Sequence, residues 1–183
     1  KLGKNHSSVI INFEIKGDNK TAHFLSGGDA EVVCWEGVRD RLTNKYSMSW
    51  LDYDILQAPH HCSWHSLSHD SLSKKGDDAK TSEKAMEVFN RAKEKAFIIS
   101  SSKTIENDEK DPPAYRAKEE YEKIVDDVQG QFLCVSDHKK NGENIPLEIE
   151  ISDNGIKKIA ASALGMAESS SAAVNRQGGG GYA

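Results

Sequence analysis

Tyr53-Asp54-Ile55-Leu56-Gln57-Ala58-Pro59-His60-His61-Cys62-Ser63 reads as a buried strand running into a polar loop that carries two adjacent histidines. Tyr53–Ala58 is short and apolar, and Pro59 ends its ladder because it has no N–H to donate. Upstream, Thr21–Leu25 leads in the same way into Ser26-Gly27-Gly28-Asp29. Each stretch places a potential metal ligand where strand gives way to loop. In an α/β sheet two such ends can meet at one edge although they are distant in the chain, and ligand sites collect there.

Working outward, Ser8–Ile15 and Thr21–Leu25 flank the turn-like Lys16-Gly17-Asp18-Asn19-Lys20, which predicts a hairpin. Val32, Trp35, Val38 and Leu42 recur near helical spacing and predict a short helix over one sheet face. Ser63–Lys80 is polar and reads as a long loop with a single helical turn. Thr81 or Ser82 caps a helix whose apolar stripe is Ala85, Met86, Phe89, Ala92 and Ala96. Phe97–Ser100 is a short buried strand, and Thr104–Asp111 is charged and exposed. Pro112-Pro113 suits a helix start, followed by Ala117, Tyr121, Ile124, Val125 and Val128 on one face. Gln131–Val135 and Leu147–Ile151 are the last strands, with Ile156 and Ile159 extending the second past the turn Asp153-Asn154-Gly155. This alternation predicts an α/β unit over residues 1–159. Residues 160–183 turn abruptly to Ala, Ser and Gly and are expected to form a flexible tail.

The chain has 183 residues, 37% hydrophobic and 29% charged, which suits one globular domain. A formal net charge of -5 gives no general reason to expect nucleic-acid binding, so any such contact needs a local basic patch or a bound metal. Cys34, Cys62 and Cys134 are odd in number and lack a CxxC spacing. That argues against a disulfide framework and for a reducing, cytoplasmic setting. No apolar stretch approaches the roughly 20 residues of a membrane helix. The sequence opens on Lys1 with no signal-peptide pattern, and it is expected to be part of a longer protein.

Asp29 follows two glycines that permit close backbone approach, and a carboxylate can bridge two cations where a neutral imidazole cannot. Its ordinary alternative is to cap the helix behind it. Either histidine of His60-His61 can ligate zinc or iron. Neighbours in extended chain point opposite ways, so one is expected to reach a metal while the other supports it or meets substrate. His65 and His69 are four apart, but the loop-like composition around them weakens a helical metal pair. Cys62 beside His61 lacks an orienting third group for nucleophilic work, and no G-x-S-x-G elbow, P-loop or G-x-G-x-x-G is present.

In order, the motifs Asn5-His6-Ser7-Ser8 before an apolar strand, Phe24-Leu25-Ser26-Gly27-Gly28-Asp29, Asp54-Ile55-Leu56-Gln57-Ala58-Pro59-His60-His61-Cys62-Ser63 and Ala96-Phe97-Ile98-Ile99-Ser100 resemble the C-terminal half of metallo-β-lactamase-fold hydrolases. The nearest branch is the one containing the hydrolase domain of the bacterial competence protein ComEC. The resemblance runs from about Asn5 to Ile159. It implies half of an αββα sandwich: a mixed sheet with helices on one face. It also implies a site in which Asp29 bridges two ions, His60 completes the second, and His61 substitutes for it or sits behind it. The implied metal is zinc, with manganese or iron as alternatives. The implied reaction is hydrolysis, with phosphodiester bonds of nucleic acid or a nucleotide one substrate class. The departures are equally specific. The family's His-x-His-x-Asp-His segment is absent from these residues, Cys62 stands where glycine is usual, and Asp111 precedes Pro112 where relatives often carry histidine. A complementary N-terminal half, from the same protein or a separate chain, is therefore the expected partner. The alternative expectation is a non-catalytic scaffold or interaction protein that has kept the fold and lost the site.

Overall fold

The computed structural model describes residues 4–159, apart from 18 and 46. Its centre is a five-stranded sheet in the order β1 (Ile11–Lys16), β2 (Thr21–Ser26), β3 (Tyr53–Gln57), β4 (Ala92–Ser100), β5 (Gln131–Cys134). β1 and β2 form the expected antiparallel hairpin, and β2 through β5 run parallel. Parallel neighbours need crossovers. These contain α1 (Val32–Asn44), then α2 (Leu72–Lys75) with α3 (Glu83–Phe89), then α4 (Tyr115–Asp127). The fold is thus α/β with a mixed sheet.

Strand order follows chain order, so every crossover steps the same way across the sheet. Crossovers of one hand stepping in one direction deposit their helices on one face. Leu25, Leu56 and Ile98 lie in one row of the sheet and share a single buried cluster with Trp35 of α1, Phe89 of α3 and Tyr121 of α4. Phe89 stands between the other two aromatics, 4.9 Å from Trp35 and edge-on to Tyr121 at 5.6 Å. Each such side chain, fully removed from water, contributes about 1.5–3 kcal/mol. The adjacent row, Phe13-Phe24-Ile55-Phe97, points to the opposite face. Ile55 and Phe97 are buried there, whereas Phe13 is 46% exposed and its strand neighbours Ile11 and Ile15 are also exposed.

Smaller elements complete the described residues. β6 (Lys139–Lys140) pairs with β7 (Glu143–Asn144), and β8 (Ile149–Ser152) with β9 (Gly155–Lys158). Asn19 is held by Asp153, which ties the last hairpin to the β1–β2 turn.

Three expectations need correction. Ala92 and Ala96 belong to β4, not to the preceding helix, which ends at Phe89. Ala-Lys-Glu-Lys is good helix-forming sequence, but pairing with β3 along Ile55–Phe97 and Leu56–Ile98 overrides local preference. Ser63–Lys80 is not a solvated loop: Trp64, Leu67, Ser63, Ser66 and Ser68 are all buried. Its serines are soluble in the core because each hydroxyl has a partner, Ser66 on the Pro59 carbonyl and Ser68 on that of Lys80. Pro112-Pro113 precedes α4 rather than opening it, since the first helical residue is Tyr115. Ser82 does cap α3, its hydroxyl accepting from the Ala85 N–H. The expected tail from 160 lies outside the described residues.

Candidate functional site

The loops after β2, β3 and β4 leave the sheet at the carboxyl ends of parallel strands, where α/β sheets gather ligands. They are stitched to one another. The Ser26 hydroxyl donates to Gln57 Oε1 at 2.7 Å, and the other end of that amide donates to the Ser101 hydroxyl at 3.4 Å. The His60 N–H donates to the Gly28 carbonyl at 2.9 Å, joining the Gly-Asp turn directly to the His-His turn.

Both glycines of the first turn are required, for different reasons. A Cβ on Gly27 would sit 2.4 Å from the Trp35 ring, so the turn can rest on that buried indole only without one. Gly28 has φ +53 and open space around it, so its need is conformational. The turn closes through the Ala30 N–H on the Gly27 carbonyl. Asp29 does not cap α1; the residue at the cap is Glu31, which instead holds Asn5 and His6.

The second turn is strained. His60, His61 and Cys62 have φ of 48, 54 and 66, three consecutive side chains in the left-handed region. Such residues cost about 1–3 kcal/mol each and collect at functional sites. This conformation changes which histidine approaches the carboxylate. The alternation argument holds for extended chain, and here the chain is not extended. The His61 Nε2 lies 3.9 Å from Asp29 Oδ1, too far for a hydrogen bond, with both side chains about half exposed. The other ring nitrogen, Nδ1, is 2.8 Å from the Ser101 carbonyl. A carbonyl only accepts, so Nδ1 donates to it, and Nε2 is the ring nitrogen left on the Asp29 side. His60, which the resemblance favours as ligand, has its ring 6.5 Å from that of His61, and its Nδ1 is buried without a hydrogen-bond partner.

The remaining histidines are held apart. His65 lies 3.9 Å from Asp111, and His69 is 3.0 Å from Glu36 on α1. They do not form a joint pair. Asp111, legible in sequence only as a departure before Pro112, reaches back to the strained loop and accepts from the Trp64 N–H at 3.2 Å. Among the described residues no three or more His, Cys, Asp or Glu side chains come together as a metal cage.

Cys62 is fully buried. Burial, reinforced by Cys134 and Asp111 nearby, pushes its thiol well above the ordinary range, so it holds no thiolate for nucleophilic attack. In native protein at pH 8, iodoacetamide is expected to modify the part-exposed Cys34 and spare Cys62, with all three thiols reacting after denaturation. Peptide mass spectrometry checks this, and fast native labelling of Cys62 would contradict its burial.

No family model matches this chain, and neither curated proteins nor solved structures provide a match. No helix among the described residues is long and apolar enough to cross a membrane.

Proposed function

We propose that this chain supplies one half of a metal-dependent hydrolase site in a metallo-β-lactamase-type αββα sandwich. The observation that carries this reading is the convergence of Asp29 and His61 at 3.9 Å on two loops locked by the His60–Gly28 hydrogen bond. The donor set fits a borderline ion: one carboxylate, one imidazole whose Nε2 lies on the carboxylate side, and a second imidazole whose buried nitrogen lacks a partner. Asp29 and His61 would hold the metal, with His60 beside them. Zinc, or manganese or iron in its place, supplies Lewis-acid activation of water for attack on an ester, amide or phosphodiester. The chain's own contributions are positional. Ser101 fixes the His61 tautomer, Gln57 ties three loop origins together, and Cys62 fills the core behind the site without taking part.

Two donors do not complete a site, and the apolar row from Phe13 to Phe97 leaves its edge end exposed. Both features support a partner half, from the same protein or another chain, that brings further ligands and packs on the second face. The free thiols of Cys34, Cys62 and Cys134 are consistent with a cytoplasmic setting.

A second reading is a non-catalytic scaffold with a degenerate site. It is favoured by the lack of a three-ligand group among the described residues and by the bulk of Cys62 in place of glycine. Elemental analysis of the complete assembly, purified without chelator, separates the two. The hydrolase reading expects two transition-metal ions per site, zinc foremost. Absence of stoichiometric metal would leave the scaffold.

A further inference from the structure

β1 is an edge strand without proline or bulge, its register with β2 running unbroken from Ile11–Ser26 to Lys16–Thr21. Among the described residues none of its backbone groups bonds outside that ladder. Ile11, Phe13 and Ile15 are exposed on one face, and Val9 continues their spacing just ahead of the strand. We infer that this edge is a homodimer interface, at which β1 pairs antiparallel with β1 of a second copy and two five-stranded sheets become one of ten strands. The inference is independent of the hydrolase reading. There a complementary half packs on the face of the sheet, whereas the second copy takes its edge.

The strand is complementary to itself in one register. Two copies related by a two-fold axis contact each other reciprocally, and directly opposite residues point to the same face of an antiparallel sheet. The helices of both copies therefore stay on one side only when a single residue of β1 sits on the axis. A Glu14 axis sets two carboxylates directly opposite each other, which is destabilising. An Ile15 axis runs Phe13 against Gly17 at the hairpin turn and leaves Ile11 without an opposite number in the strand. An Asn12 axis opposes two amides already committed to the Trp50 and Asp52 carbonyls. A Phe13 axis has none of these faults: Phe13 meets Phe13, Ile11 meets Ile15 on both sides of it, and Glu14 faces Asn12.

Continuity with the existing sheet favours the same axis. Phe13, Phe24, Ile55 and Phe97 already form one row across four strands. The Phe13 and Phe24 rings are stacked at 5.9 Å, and the stack stops at Phe13 only because the sheet does. With Phe13 on the axis the row crosses unbroken into the second copy, and a ring that now faces water gains an aromatic neighbour. An unrelated extended peptide would make the same backbone hydrogen bonds on this edge without extending the row. A second copy does both.

Light scattering on the full-length protein at about 10–100 µM tests the oligomeric state, since association depends on concentration. A mass twice that of one chain is expected. Phe13→Lys sets two ammonium groups across the axis and is expected to raise the dimer Kd at least about tenfold, with an unchanged circular dichroism spectrum. Cysteine substitution reads the register. Phe13→Cys places two thiols on the axis with Cα atoms about 4.5–5.5 Å apart, inside the range a disulfide spans. Oxidised glutathione is expected to yield a covalent dimer from Phe13→Cys, reversed by dithiothreitol. Ile11→Cys, Ile15→Cys and the wild type are expected to yield none, because each of those positions lies four residues from its own copy. A wild type that stays monomeric over this range, or a dimer indifferent to Phe13→Lys, would overturn the interface. So would a covalent dimer from Ile11→Cys or Ile15→Cys in place of Phe13→Cys. Should Phe13→Lys fail to fold, the cysteine series decides alone. Metal content and turnover enter neither measurement, so the outcome leaves the hydrolase reading to its own test.

Discussion

Gly130→Ala is expected to cost at least about 3 kcal/mol, at the upper end of what one inserted methyl does in a packed interior. A Cβ there would lie 2.1 Å from the Ala96 carbonyl oxygen and 3.1 Å from the Ala96 nitrogen. Both are backbone atoms of β4, so no side-chain rotation relieves the contact. Gly130 closes the end of α4 through its N–H on the Val125 carbonyl, and the next residue, Gln131, pairs with Phe97. Relief by backbone movement would therefore shift the strand that carries Ser100 and Ser101. For a chain of this size the loss corresponds to roughly 10 °C in melting temperature. Gly37→Ala is the matched control, because Gly37 is an exposed helical position with nothing within 4 Å of the added carbon. That change is expected to stabilise by about 0.5–1 kcal/mol. Equal melting temperatures for the two variants would show that α4 and β4 are not in the contact described.

Asp29→Asn is expected to lower hydrolysis by more than about a hundredfold in the assembled protein, since loss of even the outer partners of metal ligands costs roughly 10–100-fold. The exchange conserves shape and removes one charge. The turn that presents residue 29 is closed by backbone atoms of Gly27 and Ala30, so folding is expected to be unaffected. Metal content should fall together with turnover. Activity at the wild-type level in this variant would remove Asp29 from the site. The same assay ranks the histidines, with His61→Asn expected to be more damaging than His60→Asn because it is His61 Nε2 that lies 3.9 Å from Asp29.

Much of the fold was legible because several segments obey a single period. β1, β2, β3 and α4 read correctly from alternation or from a helical stripe, as did the Ser82 cap. The errors fall where local preference and tertiary context disagree. Ala92–Ala96 has helical composition but is recruited by the edge of β3. Ser63–Lys80 is rich in serine, yet its hydroxyls find carbonyls and Trp64 and Leu67 enter the core. Hydrogen bonds of that kind join residues 7 and 12 positions apart and leave no period in sequence.

The candidate site divides along the same line. Asp29 and the His-His pair stood out because each follows a strand, and strand ends are readable. Their relative placement was not readable. It depends on three left-handed residues in a row, none of them glycine, and composition gives no warning of that. Asp111 and Gln57 were missed as supporting groups because their roles arise only when distant loops are folded together.

The in-order sheet also sets a sequence of events in time. Each strand docks on the one synthesised just before it, so β2 can add to β1, β3 to β2, β4 to β3 and β5 to β4 without leaving a gap to be filled later. Assembly of this kind is vectorial, and within the described sheet its earliest strand keeps one edge unpaired. β1, the earliest strand of this sheet in the chain, lies at its edge and carries an exposed Ile11-Phe13-Ile15 stripe when β5 is in place. Throughout translation that stripe is the surface on which premature self-association would begin.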